Sequence, residues 1–214
     1  MKKSVFLMAL LFSSFFVLPS AFAGEKDIKL EKLSDSWGYD LGVALKSRKS
    51  SREFSDKKVS DKELARIFWA INGINRENGK RTVPTPRGFN FIKVFHISRN
   101  GNFLYDAAQN SLVLVSGESI VDKVGKQPWV ASTSNIIAYV ADLKAYGAPT
   151  IPEDKIKMGM VVGGCMAQNA YLSAASLGMG ACIVFGFDKE VLTKSLSLTE
   201  NEVLLFIQPF GFLK

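Results

Sequence analysis

The sequence predicts an α+β fold, a central and mostly antiparallel sheet wrapped by helices. Three observations carry that reading. Several segments of strand length are rich in β-branched and aromatic residues, and two of them are separated by a hairpin dipeptide. Other stretches place apolar residues at helical spacing. No internal repeat or low-complexity linker divides the 214 residues.

In chain order, Ser34–Arg48 places Trp37, Leu41, Ala44 and Leu45 on one helical stripe. Ser60–Gly73 is the clearest helix. Ser60 and Glu63 match a capping box, in which each side chain serves an orphan amide at the helix start. Leu64, Ile67, Phe68 and Ile71 form its buried stripe, and Gly73 suits its stop. Asn75–Gly88 reads as a long loop holding Pro84 and Pro86. Phe89–Ser98 and Phe103–Ala107 flank Asn100-Gly101, a hairpin signal, and Ser111–Ser116 adds a short strand. Ser134–Asp142 is an apolar run suited to a strand buried on both faces. Asp154–Leu177 reads as a helix apolar on most sides, which needs burial in protein and suggests a second subunit. Gly180–Asp188 is expected as a strand, Lys189–Leu198 as a short helix and Glu202–Gly211 as the last strand.

The first residues suggest export. Lys2 and Lys3, the apolar run Val5–Val17 and the small-x-small Ala21-Phe22-Ala23 form a Sec-type signal peptide over residues 1–23. Residues 24–214 are then one exported domain, periplasmic or secreted, with no stable membrane insertion after cleavage. The whole chain carries 27 cations against 20 anions; without Lys2 and Lys3 the balance is +5. These charges are spread out, and no basic stripe interleaved with aromatics points to nucleic acid. Cys165 and Cys182 lie in apolar surroundings and read as buried free thiols. With His96 as the sole histidine, a zinc cage or a histidine-based triad lacks parts. His96 lies in a strand pattern and reads as structural.

"RKSSREF", Arg48–Phe54, stands between two helices. Arg48, Ser50 and Arg52 offer two guanidinium forks and a hydroxyl, which suit a phosphate monoester. A solvated turn explains the same residues. Glycine-rich loops of the dinucleotide or triphosphate type are missing from the sequence.

The succession of Ala44–Arg76, Gly79–Ile97, Lys126–Asp142 and Gly163–Asp188 resembles the nitroreductase family of FMN-dependent oxidoreductases. It looks closest to the short exported forms grouped with SagB-type dehydrogenases, and the resemblance spans roughly Trp37–Lys214. It implies that Arg48, Ser50 and Arg52, with Lys49 between them, hold the FMN phosphate and ribityl chain. Pro84–Gly88, including Thr85 and Arg87, would lie near the flavin ring, and Arg87 or Lys49 would stabilise its reduced, anionic form. Phe185 and Gly186 would offer backbone amides to the N5 edge. Lys214 would be a terminal phosphate contact, Phe89 and Phe91 would wall the pocket or pack the core, and the helix with Gln168-Asn169 would cross a homodimer interface. Gly88 stands where relatives often have an asparagine, and glycine supplies no side-chain amide. The implied activity is two-electron transfer between flavin N5 and a small organic substrate. Nicotinamide donors are scarce outside the cytoplasm, which argues against direct NAD(P)H-to-nitro transfer. The alternative is a non-catalytic dimer on the same fold that binds a ligand or partner without flavin.

Overall fold

The computed structural model describes residues 26–34, 36–38 and 40–214; the expected signal peptide lies outside them. Seven strands form one antiparallel sheet in the order β1-β4-β3-β2-β5-β7-β6. They are β1 (Ile28–Lys29), β2 (Ile92–Ser98), β3 (Gly101–Asp106), β4 (Ser111–Ser116), β5 (Asn135–Asp142), β6 (Met179–Ala181) and β7 (Glu202–Phe212). The helices are α1 (Leu41–Ser47), α2 (Asp61–Asn72), α3 (Val121–Val124), α4 (Pro152–Ser176) and α5 (Lys189–Ser195).

The sheet is covered on both faces, which is why β5 is apolar at every position from Ile136 to Ala141. Ile137, Tyr139 and Ala141 point into the layer made by α2 and α4. Ile136, Ala138 and Val140 point into the layer made by α3, α5 and the 3₁₀ turn Pro128–Ser132. A bulge against β5 skips Leu205, so Leu205 and its neighbour Phe206 both reach the α4 layer.

Two polar side chains inside this core are tied to named partners. Gln208, fully buried, accepts from the Tyr139 hydroxyl at 2.7 Å and donates to the Ala167 carbonyl of α4 at 3.1 Å. His96 contacts Asn135 Oδ1 through Nε2 at 3.0 Å. Burial lowers its pKa to about 4, so the ring is neutral at pH 7. The Ser60–Glu63 capping box forms as expected. Cys165 and Cys182 are free thiols. Among the described residues no helix is long and apolar enough to cross a membrane.

Two expectations need correction. The strand expected over Gly180–Asp188 ends at Ala181. Its next ladder partner would be Pro209, which has no N–H to give; Cys182 still donates to the Pro209 carbonyl, and pairing with β7 returns as the isolated bridge Val184–Ile207, while Phe187 bridges Gly125 instead. The stripe around Trp37 is not a buried helix face. The helix starts at Leu41 behind the Asp40 cap, only Ala44 is buried, and Leu41 and Leu45 are 62% and 52% exposed. Within α4, the Asn169 amide donates to the Ala70 carbonyl of α2 at 2.8 Å, while Gln168 is exposed.

Candidate functional site

The segment Arg48–Phe54 is held against the edge strand β6. Ser50 bridges Ala181, and the Ser51 amide donates to the Ala181 carbonyl at 2.9 Å. Gly180 makes this approach possible. A Cβ there would stand 2.5 Å from Ser51 Cβ and 2.6 Å from a Leu213 methyl. Further on, Phe54 bridges Leu213, which carries the last residues of the chain alongside.

The result is an open cleft of about 420 Å³ lined by Lys49, Ser50, Ser51, Arg52, Leu213 and Lys214, with Glu53 its single acid. Arg48 lies beside it with its guanidinium 5.3 Å from the Tyr171 ring, and Arg52 lies 5.8 Å from the Trp129 ring. Among the described residues, Arg48, Lys49, Arg52 and Lys214 make no ion pair. The Ser51 hydroxyl in the cleft wall is buried without a partner. Unpaired cations, a hydroxyl and an orphaned buried donor fit a phosphate monoester, which brings about −1.5 to −2 charges and three acceptor oxygens.

Tyr171 joins this cleft to the segment after β6. Its hydroxyl lies 3.3 Å from Ser50 Oγ and accepts from the Ile183 amide at 2.8 Å. Two residues beyond, Phe185 is 63% exposed, with its ring 5.7 Å from Phe206. Among the described residues no backbone carbonyl accepts from the Phe185 or Gly186 amide. The Gly186 carbonyl accepts from Lys126 at 2.8 Å. That tie brings the segment toward the Trp129 turn on which Arg52 rests. Arg48, Lys49, Ser50, Arg52, Lys214, Phe185 and Gly186 therefore share one region of the protomer.

Thr85, Arg87 and Gly88 do not. They lie in the loop ahead of β2, where Arg87 (φ 52°) and Gly88 (φ 79°) form a left-handed turn closed by Phe89 N to Pro86 O at 3.0 Å. Both central positions need positive φ, which glycine and asparagine adopt at low cost and arginine does not. The turn thus explains glycine at position 88, and a strained arginine at its tip invites a functional reading. Arg87 shares a cavity of about 420 Å³ with Met158 near the start of α4, whereas Ser50 touches Tyr171 near its end. Met158 and Tyr171 are thirteen residues apart, about 20 Å along the axis at 1.5 Å per residue. One protomer therefore separates the two groups of residues expected around the flavin. Phe91 is fully buried and Phe89 packs on Tyr146 with ring centres 5.5 Å apart, so both serve the core.

Sequence reading missed Tyr171, Trp129 and Ser51. A tyrosine inside an otherwise apolar helix was the available signal, because a buried phenol needs a hydrogen-bond partner.

The fold is that of a known class of oxidoreductase domain. The Nitroreductase family profile matches residues 45–212, and the chain belongs to that family. Among solved structures, a candidate nitroreductase of Ralstonia eutropha superposes with a TM-score of 0.82 at 30% identity, covering 89% of this chain and 90% of that one. A candidate nitroreductase of Methanocaldococcus jannaschii is 26% identical over 188 residues, which is 81% of this chain and 92% of the relative. Nitroreductase A of Vibrio parahaemolyticus shares the fold with a TM-score of 0.60 at 18% identity, covering 81% of this chain and 68% of that one.

Proposed function

We propose that this chain is an exported, FMN-dependent oxidoreductase that works as a homodimer, related to the short SagB-type forms, and acts on a small organic substrate. Bound FMN would supply two-electron chemistry at N5, while the protein binds and orients it. Arg48 and Arg52 hold the phosphate by charge-assisted hydrogen bonds, with the Ser50 hydroxyl between them and Lys49 and Lys214 adding positive charge. The Phe185 and Gly186 amides donate toward the edge of the ring. Phe185 and the Pro84–Gly88 loop of a second copy limit the space over its face, with the Thr85 hydroxyl and the Arg87 guanidinium as polar contacts.

One observation carries the reading. The two groups of expected flavin contacts lie near opposite ends of α4, and the open face between them bears Met158, Val161 and Gly164. A Cβ on Gly164 would meet nothing within 4 Å. Met158 and Tyr171 are symmetric about positions 164–165. Two α4 helices crossing antiparallel there would bury the apolar face and bring the Arg87 loop of one copy to the Arg48–Arg52 cleft of the other. Small residues at such a crossing let the helix backbones approach closely.

Gly88 favours a second reading, a dimer on this fold that binds a ligand without flavin, since it offers the ring no amide. Retention of FMN separates the two. Residues 24–214, mixed with FMN and dialysed, should stay yellow with quenched flavin fluorescence. Arg48→Ala with Arg52→Ala should release the flavin while leaving the circular dichroism unchanged. Colourless wild-type protein would sink the enzyme reading. For export, the mass of the chain recovered outside the cytoplasm should correspond to Gly24–Lys214.

A further inference from the structure

The loop that carries Arg87 forms a second cationic cavity, of about 590 Å³, between the end of α2 and the start of β2. Arg76, Lys80, Arg81 and Arg87 line it with Asn78 and Asn90, and no carboxylate is in its lining. None of the four cations makes an ion pair among the described residues.

Two of these cations are fixed in place. Arg76 donates to the Arg81 carbonyl at 2.6 Å and to Asn75 Oδ1 at 3.0 Å, and Arg81 donates to the Asn72 carbonyl at 3.1 Å. The Arg81 bond serves a terminal carbonyl of α2 and the Arg76 bonds tie the loop behind it, which are structural duties. They leave the Arg81 Nε buried with no partner. Burial lowers the Arg81 pKa, against the opposing pull of Tyr105 and of Asp106, the acid facing it from β3. A partly desolvated guanidinium with an idle donor is a strong anion ligand, since there is less water to displace. Among the described residues the Lys80 ammonium and the Arg87 guanidinium make no hydrogen bond, and both residues stand exposed at the rim.

We infer that this cavity is a docking site for an anionic group, carboxylate or phosphate, borne by the small molecule that exchanges electrons at the site proposed above. The inference deepens that reading and rests on it for the role, although not for the binding itself. Arg81 forms the fixed floor with Arg76 tied beside it at the surface, and Lys80 and Arg87 close over the anion. The cavity adjoins the turn that a second copy would present to the cleft. An anion held here leaves the rest of its molecule directed toward the reacting face.

The test is a calorimetric titration of full-length mature chain carrying Arg48→Ala and Arg52→Ala, so that the phosphate cleft cannot respond. The probes are benzoate, inorganic phosphate and neutral benzamide. Benzoate or phosphate should bind, benzamide should not, and Lys80→Gln with Arg87→Gln should weaken binding at least about tenfold, the scale of two charge-assisted contacts. Affinity should fall as salt screens the charges. Benzoate alone would assign a carboxylate and phosphate alone a phosphoryl group. Equal binding of benzamide, or no response to Lys80→Gln with Arg87→Gln, would overturn the inference. A wild-type chain that fails to retain FMN would instead remove the enzyme reading and leave anion binding by the loop intact.

Discussion

Tyr171→Phe tests how the cleft is held together. The substitution keeps the ring, so its packing and its contact with Arg48 at 5.3 Å survive. It removes only the hydroxyl, which accepts from the Ile183 amide at 2.8 Å and lies 3.3 Å from Ser50 Oγ. The shorter contact dominates, because its loss strands a half-buried backbone donor. The longer one reaches an exposed serine that water can serve. An unmet donor of this kind costs about 1–3 kcal/mol, and a central figure of about 2 kcal/mol corresponds to roughly 4–8 °C in Tm for a domain of this size. Urea and thermal unfolding of wild type and variant measure this directly. The same hydroxyl fixes Ile183, two residues ahead of the Phe185 amide, so flavin dissociation should also quicken. A stability loss under about 0.5 kcal/mol, with unchanged flavin release, would mean that water replaces the phenol and that Tyr171 does not hold the segment.

Two further outcomes follow from the packing. His96 is the sole histidine, and its pKa is lowered from 6.5 to about 4. Below pH 6.5 the unfolded chain binds a proton that the folded chain refuses, so stability should fall as pH drops from 6.5 toward 4, by about 3 kcal/mol in total. His96→Gln should flatten that limb in pH-dependent urea unfolding, and an unchanged slope would assign the limb to carboxylates. Gly164→Glu adds a side chain that meets nothing in one protomer but sets two carboxylates against each other in the antiparallel pair. Analytical ultracentrifugation should then show folded monomer, and an undisturbed dimer would place the interface elsewhere.

The sequence made parts of this structure legible where one local rule decided the outcome. Ser60 and Glu63 announced their helix because the capping box is satisfied entirely within four residues. The unbroken run in β5 announced burial on both faces because no polar position was left for water. The end of β6 was hidden, since it depends on Pro209, far along the chain, lying opposite. The exposure of α1 was hidden too, because apolar spacing says that a face wants covering and not what covers it. At the site, the cations of "RKSSREF" could be picked out by residue type. Their distance from Arg87 could not, because the length of α4 is legible while the end against which each group packs is not.

That separation has a consequence for assembly. In the proposed dimer each copy would bring one part of a cradle at each end of its long helix, so a solitary chain would offer a cofactor a charged grip and little else. If the proposed dimer and flavin site hold, loading would follow encounter between two chains, and the yield of active protein would vary with how crowded the chains are, well before the supply of flavin became limiting.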